Sequence, residues 1–315
     1  MPRGAVRVRA LEEGDLGAAD HIMRVAFGTY LGLPDPSTMF GDAQYVRTRF
    51  RAAPDCAWAA EVDGEVVGSV FAARWGTFGS FGPLTTHPGV WDGGVGRRLM
   101  DPVIEVFDRW GLRQAGLFTF PDSPKHIGLY QRYGFWPRFL TALMTKPATG
   151  AASEYTTFSG VPARERAGTL EAIRELTDAV FPGLDLEREI RACDAQQIGD
   201  TVLVYSSGQL AGAAICHCGA GSEAGSGACY VKFGAVRPGV EAADQFERLL
   251  DACEAFATAS DLDRLVAGVN TGRLNAYRQL LQRGFRATRM GISMRLRPDG
   301  PDYDRPEHYA IDDLR

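Results

Sequence analysis

The chain ends two of its helices in nearly the same way. YQRYGF at residues 130–135 and LLQRGF at residues 280–285 each close a helical pattern on glycine. Glycine just past a helix takes a left-handed backbone that a Cβ disfavours, so both positions read as stops. Ahead of each ending the predicted elements come in the same order. In the first half they are a strand at 6–11, helices at 12–32 and 42–51, and strands at 56–62, 65–74 and 79–86. A helix at 92–110, a strand at 114–120, a helix at 123–133 and a strand at 139–146 complete it. The second half repeats this with helices at 164–180 and 184–195 and strands at 201–205, 210–218 and 229–236. It ends with a helix at 240–257, a strand at 264–269, a helix at 273–283 and a strand at 287–295. Such a repeat confines 315 residues to two copies of one fold, at a length where single cores divide.

The expected organisation is therefore a first domain at 1–147, a linker at 148–162, a second domain at 163–297 and a polar tail at 298–315. PATGAASEYTTFSGVP is small, polar and proline-bearing, which suits a connector. The proline-rich tail is expected to lie as an arm on the surface or on a partner subunit. Each copy mixes three antiparallel-reading strands with helices, so the fold class is α/β of the α+β kind.

Charge excludes some functions. The net charge is −5 and no sustained basic run could neutralise phosphates along a nucleic acid. MPRGAVRVRALEEGD has charges where a signal peptide needs an apolar run, and no stretch reaches the roughly 18 apolar residues of a membrane span. A cytoplasmic protein with no membrane or nucleic-acid partner is expected. Cys56, Cys193, Cys216, Cys218, Cys229 and Cys253 are spread unevenly and read as free thiols. Cys216-His217-Cys218 falls in the apolar run AGAAICHC and reads as a strand rather than a metal site, because no second ligand pair accompanies it.

The segment TTHPGVWDGGVGRRLM, residues 85–100, carries the chemistry. A strand ends near Pro88, Gly93, Gly94 and Gly96 make a loop, and a helix opens on Arg97 and Arg98. Backbone N–H groups at a helix N-terminus point outward with partial positive charge, and glycines let a phosphate come close. A P-loop is excluded, since no Gly-Lys pair exists in the chain. A dinucleotide fingerprint fits poorly, because Leu99 stands where its third glycine belongs and the loop follows an antiparallel meander.

These residues resemble the GNAT superfamily of N-acetyltransferases in duplicated form. The family's signature is Val-x-Pro-x-x-Arg/Gln-x-x-Gly-x-Gly/Ala. Here it reads from Thr86 through His87, Pro88, Gly89, Val90, Trp91, Asp92, Gly93, Gly94 and Val95 to Gly96, with Trp91 replacing the usual Arg or Gln. The second mark, Leu-Tyr-x-x-x-Gly-Phe, is matched by Leu129, Tyr130, Gly134 and Phe135. Where the family often has Asn and Ala, this chain has Ser123 and His126. The resemblance covers roughly residues 5–147.

It implies two tandem domains, each a mixed, mostly antiparallel sheet whose fourth and fifth strands splay apart around acetyl-coenzyme A. The implied cofactor contacts are Leu84, Thr85, Thr86, Trp91, Asp92, Gly93, Gly94, Val95, Gly96, Arg97 and Ser123, with no metal. A small-molecule primary amine would attack the thioester directly. Backbone N–H groups near Thr86 would polarise the carbonyl oxygen, and Tyr130 would protonate the departing thiolate. Glu61, Asp122 and His126 are the candidate bases, with His126 one helical turn before Tyr130 on the same face. His87 is expected to pack or face solvent. Phe27, Tyr30, Trp75 and Phe78 are the expected acceptor-pocket residues, from their loop and strand-edge positions.

The second copy departs from the pattern. VRPGVEAADQF at 236–246 keeps Pro238 but places Asp244 and Phe246 at the two glycine positions, and Leu280 stands at the tyrosine position. Asp244 would repel a pyrophosphate. This copy is expected to support the first, to shape its acceptor pocket or to bind something else. Three alternatives stay open for the first copy: another acyl group or a hydroxyl acceptor, decarboxylation of an acyl-CoA, and a non-catalytic acyl-CoA-binding regulator. The chain is expected to be a monomer or a homodimer.

Overall fold

The computed structural model describes residues 5–149, 153–297 and 302–314. Parts of the expected linker (150–152) and tail (298–301 and 315) lie outside the described residues.

The first half runs β1 (Arg7–Ala10), α1 (Leu16–Tyr30), α2 (Tyr45–Ala52), β2 (Ala57–Val62), β3 (Glu65–Trp75) and β4 (Phe78–Thr86). It continues with α3 (Val95–Trp110), β5 (Gln114–Thr119), α4 (Pro124–Gln131) and β6 (Phe135–Pro147). The second half opens with a short β7 (Thr156–Thr157), then α5 (Arg166–Val180), α6 (Glu187–Gln196), β8 (Gly199–Ser206), β9 (Gln209–Cys218) and β10 (Ala228–Val236). Next come α7 (Ala242–Ala259), β11 (Arg264–Asn270), α8 (Leu274–Gln282), β12 (Arg286–Leu296) and β13 (Ala310–Ile311).

The predicted element order is present in both halves, and the reasons are local. Helix α3 starts after Gly94 (φ 78°) and stops at Gly111 (φ 60°), two left-handed positions that suit glycine. Between them Leu99, Val103, Val106 and Phe107 form a buried stripe at helical spacing. Each contributes roughly 1.5–3 kcal/mol of burial. Pro102 lies inside this helix, which continues past it to Trp110. Helix α4 is capped by Ser123, whose Oγ accepts from the His126 N–H at 3.4 Å, with Pro124 at the first position.

The strands form one sheet in the order β1-β2-β3-β4-β5-β12-β6-β11-β10-β9-β8-β7. Its centre joins the halves by exchange. The last strand of the second half, β12, pairs with β5 of the first, while β6 pairs with β11 of the second. The two exchanged strands also pair with each other. Within each half one parallel contact opens into a splay. β4 and β5 pair only from Phe78 to Ser80. β10 and β11 pair only from Ala228 to Val231.

Polar and aromatic contacts also lock the halves together. Arg49 on α2 binds Glu223 from the second half at 2.9 Å, and Lys232 reaches the same carboxylate at 2.8 Å. Burial pushes the Glu223 carboxyl up, but the two cations outweigh burial and hold it well below the usual range.

The connector and the tail both pack on the fold, and for the tail this corrects the expectation. The connector is anchored, since β7 pairs with β8 and Phe158 is buried in the second half's core. The tail is no surface arm. Tyr303, Asp304, Asp312 and Asp313 are buried, and β13 pairs with β10 at Gly234 and Ala235. Its carboxylates meet cations inside the molecule, which removes any reason for them to face solvent: Asp312 binds Arg273 at 2.6 Å and Asp304 binds Arg295 at 2.5 Å. Among the described residues no helix is long and apolar enough to cross a membrane, and no group of three or more His, Cys, Asp or Glu residues could hold a metal ion.

Candidate active site

Beyond Ser80 the β4 edge turns away from β5, so both strands leave backbone groups facing a gap. A cleft of about 630 Å³ opens there. Its floor is Leu84, Thr85 and Thr86 of β4, and its rim is Trp91, Asp92, Gly94, Val95, Gly96 and Arg97. Helix α4 closes the other side with Ser123, Lys125, His126, Leu129 and Arg132.

The cleft suits a long anionic ligand. The first intrahelical bond of α3 runs from the Arg98 N–H to the Gly94 carbonyl at 3.2 Å. The amides of Val95, Gly96 and Arg97 precede it and have no acceptor within the helix. A Cβ at Gly94 would meet nothing within 4 Å, and one at Gly96 would come no nearer than 3.7 Å to any atom, so open space faces those amides. Thr85 Oγ1 is buried without a hydrogen-bond partner among the described residues. Arg97, Lys125 and Arg132 supply positive charge around the opening. The residues present therefore fit a pantetheine-pyrophosphate ligand such as coenzyme A. Trp91 occupies the place of a hydrogen-bonding side chain. Its ring donates through Nε1 to the Thr86 carbonyl at 2.9 Å and lies under the Lys125 ammonium, 5.7 Å from the ring centre. Lys125 in turn pairs with Asp92 at 2.6 Å.

A second cavity, about 370 Å³, adjoins the cleft. Phe27, Leu84, Phe120 and His126 border both spaces, so the two meet at those residues. His126 and Tyr130 lie one turn apart on α4 and both border the second cavity. Tyr130 is buried, edge-on to Phe81 at 5.6 Å, and burial pushes its hydroxyl well above the ordinary tyrosine range. It is a neutral O–H donor at any working pH. His126 Nδ1 is buried without a hydrogen-bond partner among the described residues. Burial first, and the Lys125 charge second, lower the His126 pKa, so its imidazole is neutral near pH 7.

The remaining candidates fall in different places. Tyr30 and Phe27 border the site, and the Tyr30 hydroxyl donates to Asp122 at 3.2 Å. Gly93 is not among the residues bordering the cleft, although its turn aims Gly94. Glu61 is paired with Arg9 at 2.8 Å on the β1–β2 side of the sheet and borders neither space. Trp75 and Phe78 are not at the acceptor side. The β3–β4 turn that carries them is covered by the second half, where Trp75 donates to Glu189 at 3.1 Å and Phe78 stacks on Tyr303 at 4.2 Å. His87 caps the following turn by accepting from the Gly89 N–H at 3.1 Å. Lys125, Arg132 and Phe120 were not singled out from the sequence. The two basic residues bracket the helix that carries Tyr130, a spacing that signals them once the helix is known to wall the cleft.

The corresponding splay in the second half is filled. β13 lies against β10, and the Val236 N–H donates to the Tyr309 carbonyl at 3.2 Å. A methyl group at Gly268 of β11 would collide with Asp313, so the tail also abuts that strand. Phe246 and Leu280, at the positions of the lost glycine and tyrosine, are core residues.

Residues 23–135 match the model of the acetyltransferase (GNAT) family. Among solved structures, a protein from Pyrococcus horikoshii superposes with a TM-score of 0.69 at 14% identity, over 99% of this chain and 95% of that one. A GCN5-related N-acetyltransferase from Sphaerobacter thermophilus gives 0.60 at 16% identity, over 95% and 98%. The glucosamine N-acetyltransferase region of a fungal multi-domain β-N-acetylglucosaminidase gives 0.61 at 12% identity, over 92% of this chain and 38% of that one. At these identities the likeness is one of fold. No curated protein matches the chain.

Proposed function

We propose, from the match of residues 23–135 to the acetyltransferase (GNAT) family model, that the chain moves the acetyl group of acetyl-coenzyme A to a primary amine of a small molecule. The observation that carries this reading is the junction at His126, where an anion-suited cleft meets a separate apolar cavity beside a buried tyrosine. Two spaces sharing one wall suit a two-substrate transfer.

The α3 amides and Arg97 would hold the pyrophosphate, with Leu84, Thr85 and Thr86 along the pantetheine. The amine would enter from the second cavity. Neutral His126 would take its proton, directly or through water, so that the free amine attacks the thioester carbonyl carbon. Backbone N–H groups of β4 near Thr86 would receive the charge that develops on the carbonyl oxygen. The carbon–sulfur bond would then break, and the Tyr130 hydroxyl would give its proton to the departing thiolate. Excluding water from this junction favours aminolysis over hydrolysis.

The working domain in this reading is 1–147, and the copy at 163–297 contributes no second active site. Titration with acetyl-coenzyme A tests both points. One site per chain is expected. Two sites would show that the second half retains a cofactor cleft, and no binding would end the transferase reading.

A further inference from the structure

The second cavity is lined mostly by carbon. Its walls are set by aromatic and aliphatic side chains, among them Phe40, Phe81, Phe118 and Phe120 with Met23 and Met39. Among the described residues no carboxylate borders it; its charged neighbour is Arg289, and its titratable neighbours are His126, Tyr45 and Tyr130. Arg289, on the exchanged strand β12, sits with its guanidinium 6.0 Å from the centre of the Phe120 ring and has no ion-pair partner among the described residues.

A ligand with several ammonium groups gives up hydration on entering such a space and needs counter-charges in return. Among the described residues this wall offers none, and Arg289 opposes a second cation at the rim. A sugar fares little better, because its many hydroxyls would lose water and find few partners among Thr119, His126, Tyr130 and Thr288. An aromatic body gains from burial and from ring-to-ring contacts with the phenylalanines. Coming to rest with its single amine at the His126 junction, it would place the rest of the molecule against the apolar wall.

Resting on the transferase reading above, we infer that the acceptor is a primary monoamine on a bulky aromatic body, not a polyamine or an amino sugar. The second half takes part in this selection. Val266 of β11, Thr288 and Arg289 of β12 and Leu314 of the tail all border the cavity. The exchange of strands thus puts specificity for the first half's reaction partly in the second half's hands.

The test is a comparison of 2-phenylethylamine and tryptamine with spermidine and glucosamine. Thiol release from acetyl-coenzyme A is followed for each, and binding of each amine is titrated with and without coenzyme A. The aromatic amines are expected to bind saturably and to exceed the others at least tenfold in kcat/KM. Phe118→Ala and Met39→Ala should each raise the KM for phenylethylamine about tenfold while leaving acetyl-coenzyme A affinity unchanged, which also reports that the variants are folded. A preference for spermidine or glucosamine would overturn the acceptor assignment and leave the transferase reading intact. Failure of every aromatic amine to bind would overturn it equally. Aromatic amine binding to a protein that takes no acetyl-coenzyme A would instead keep the cavity's assignment and overturn the transferase.

Discussion

His126 and Tyr130 stand one turn apart on α4 and both face the apolar cavity, but only His126 also borders the cofactor cleft. The imidazole therefore marks the opening between the two spaces, while the phenol waits on the far side of it.

Tyr130→Phe keeps the ring against Phe81 and removes only the hydroxyl, the acid of the proposed transfer. Steady-state kinetics should show kcat lower by about 10²-fold or more, the usual worth of a general acid. Acetyl-coenzyme A affinity should not change. An unaltered kcat would remove Tyr130 from the chemistry.

His126 should appear in the pH profile. Its folded pKa lies below the ordinary histidine value, so the neutral base is present above that pKa and protonated below it. A plot of kcat/KM should fall with decreasing pH, with a midpoint below about 6.5. In His126→Gln that limb should disappear. A limb that persists in the variant would assign it to another group.

The two loop glycines make different demands. Gly94 has φ 78°, whereas space alone governs Gly96. Gly96→Ala should therefore fold and bind acetyl-coenzyme A within a few-fold of the parent. Gly96→Glu should fold but lose binding by 100-fold or more, since its carboxylate would stand where the phosphates approach. Calorimetry reads both, and strong binding by the glutamate variant would move the cofactor elsewhere.

Arg273 anchors the tail. It is fully buried, 2.6 Å from Asp312, 3.4 Å from Asp304 and 4.5 Å from the centre of the Tyr303 ring. Arg273→Ala would leave the buried Asp312 carboxylate without its counter-charge, at a cost of about 3–5 kcal/mol. Denaturant unfolding should register that loss, and limited proteolysis should cut within 302–314 at lower protease concentration. Parent-like stability and protection would show that the tail is held by its apolar contacts alone.

Acid should weaken the fold through His217. Burial, and after it the charge of Lys232, push this imidazole down to about 4. The folded state thus binds fewer protons than the unfolded state between that value and the ordinary 6.5. Its contribution is complete above pH 6.5 and is lost as the pH falls towards 4, up to about 3 kcal/mol at roughly 1.4 kcal/mol per unit. Unfolding free energies across this window should have a shallower slope in His217→Gln. An identical slope would place the acid sensitivity in other groups.

Much of the site could be read before any coordinates. The Gly94–Gly96 loop, Ser123, His126 and Tyr130 occupy short segments whose roles depend on neighbours a few residues away. A glycine that opens a helix, a serine that caps one and two residues four apart on one face are local relationships. The acceptor side was less legible. Of the four aromatic residues expected there, Phe27 borders the second cavity and Tyr30 the cleft, while Trp75 and Phe78 serve the contact between halves. Aromatic side chains at a strand edge look alike in sequence whether a ligand or another part of the protein covers them.

The sequence by itself determined the duplicated order of elements, the helix end at Gly134, and the replacement of the two loop glycines by Asp244 and Phe246 in the second copy. Tertiary structure decided which strand pairs with which. Alternation of apolar and polar residues says which face of β6 or β12 is buried, yet backbone hydrogen bonds are the same to any partner, so the exchange between halves leaves no local trace. The tail shows the same limit. Its aspartates read as solvent-facing in a polar stretch, and only the fold brings Arg273 and Arg295 within reach, turning an apparent arm into the filling of the second cleft.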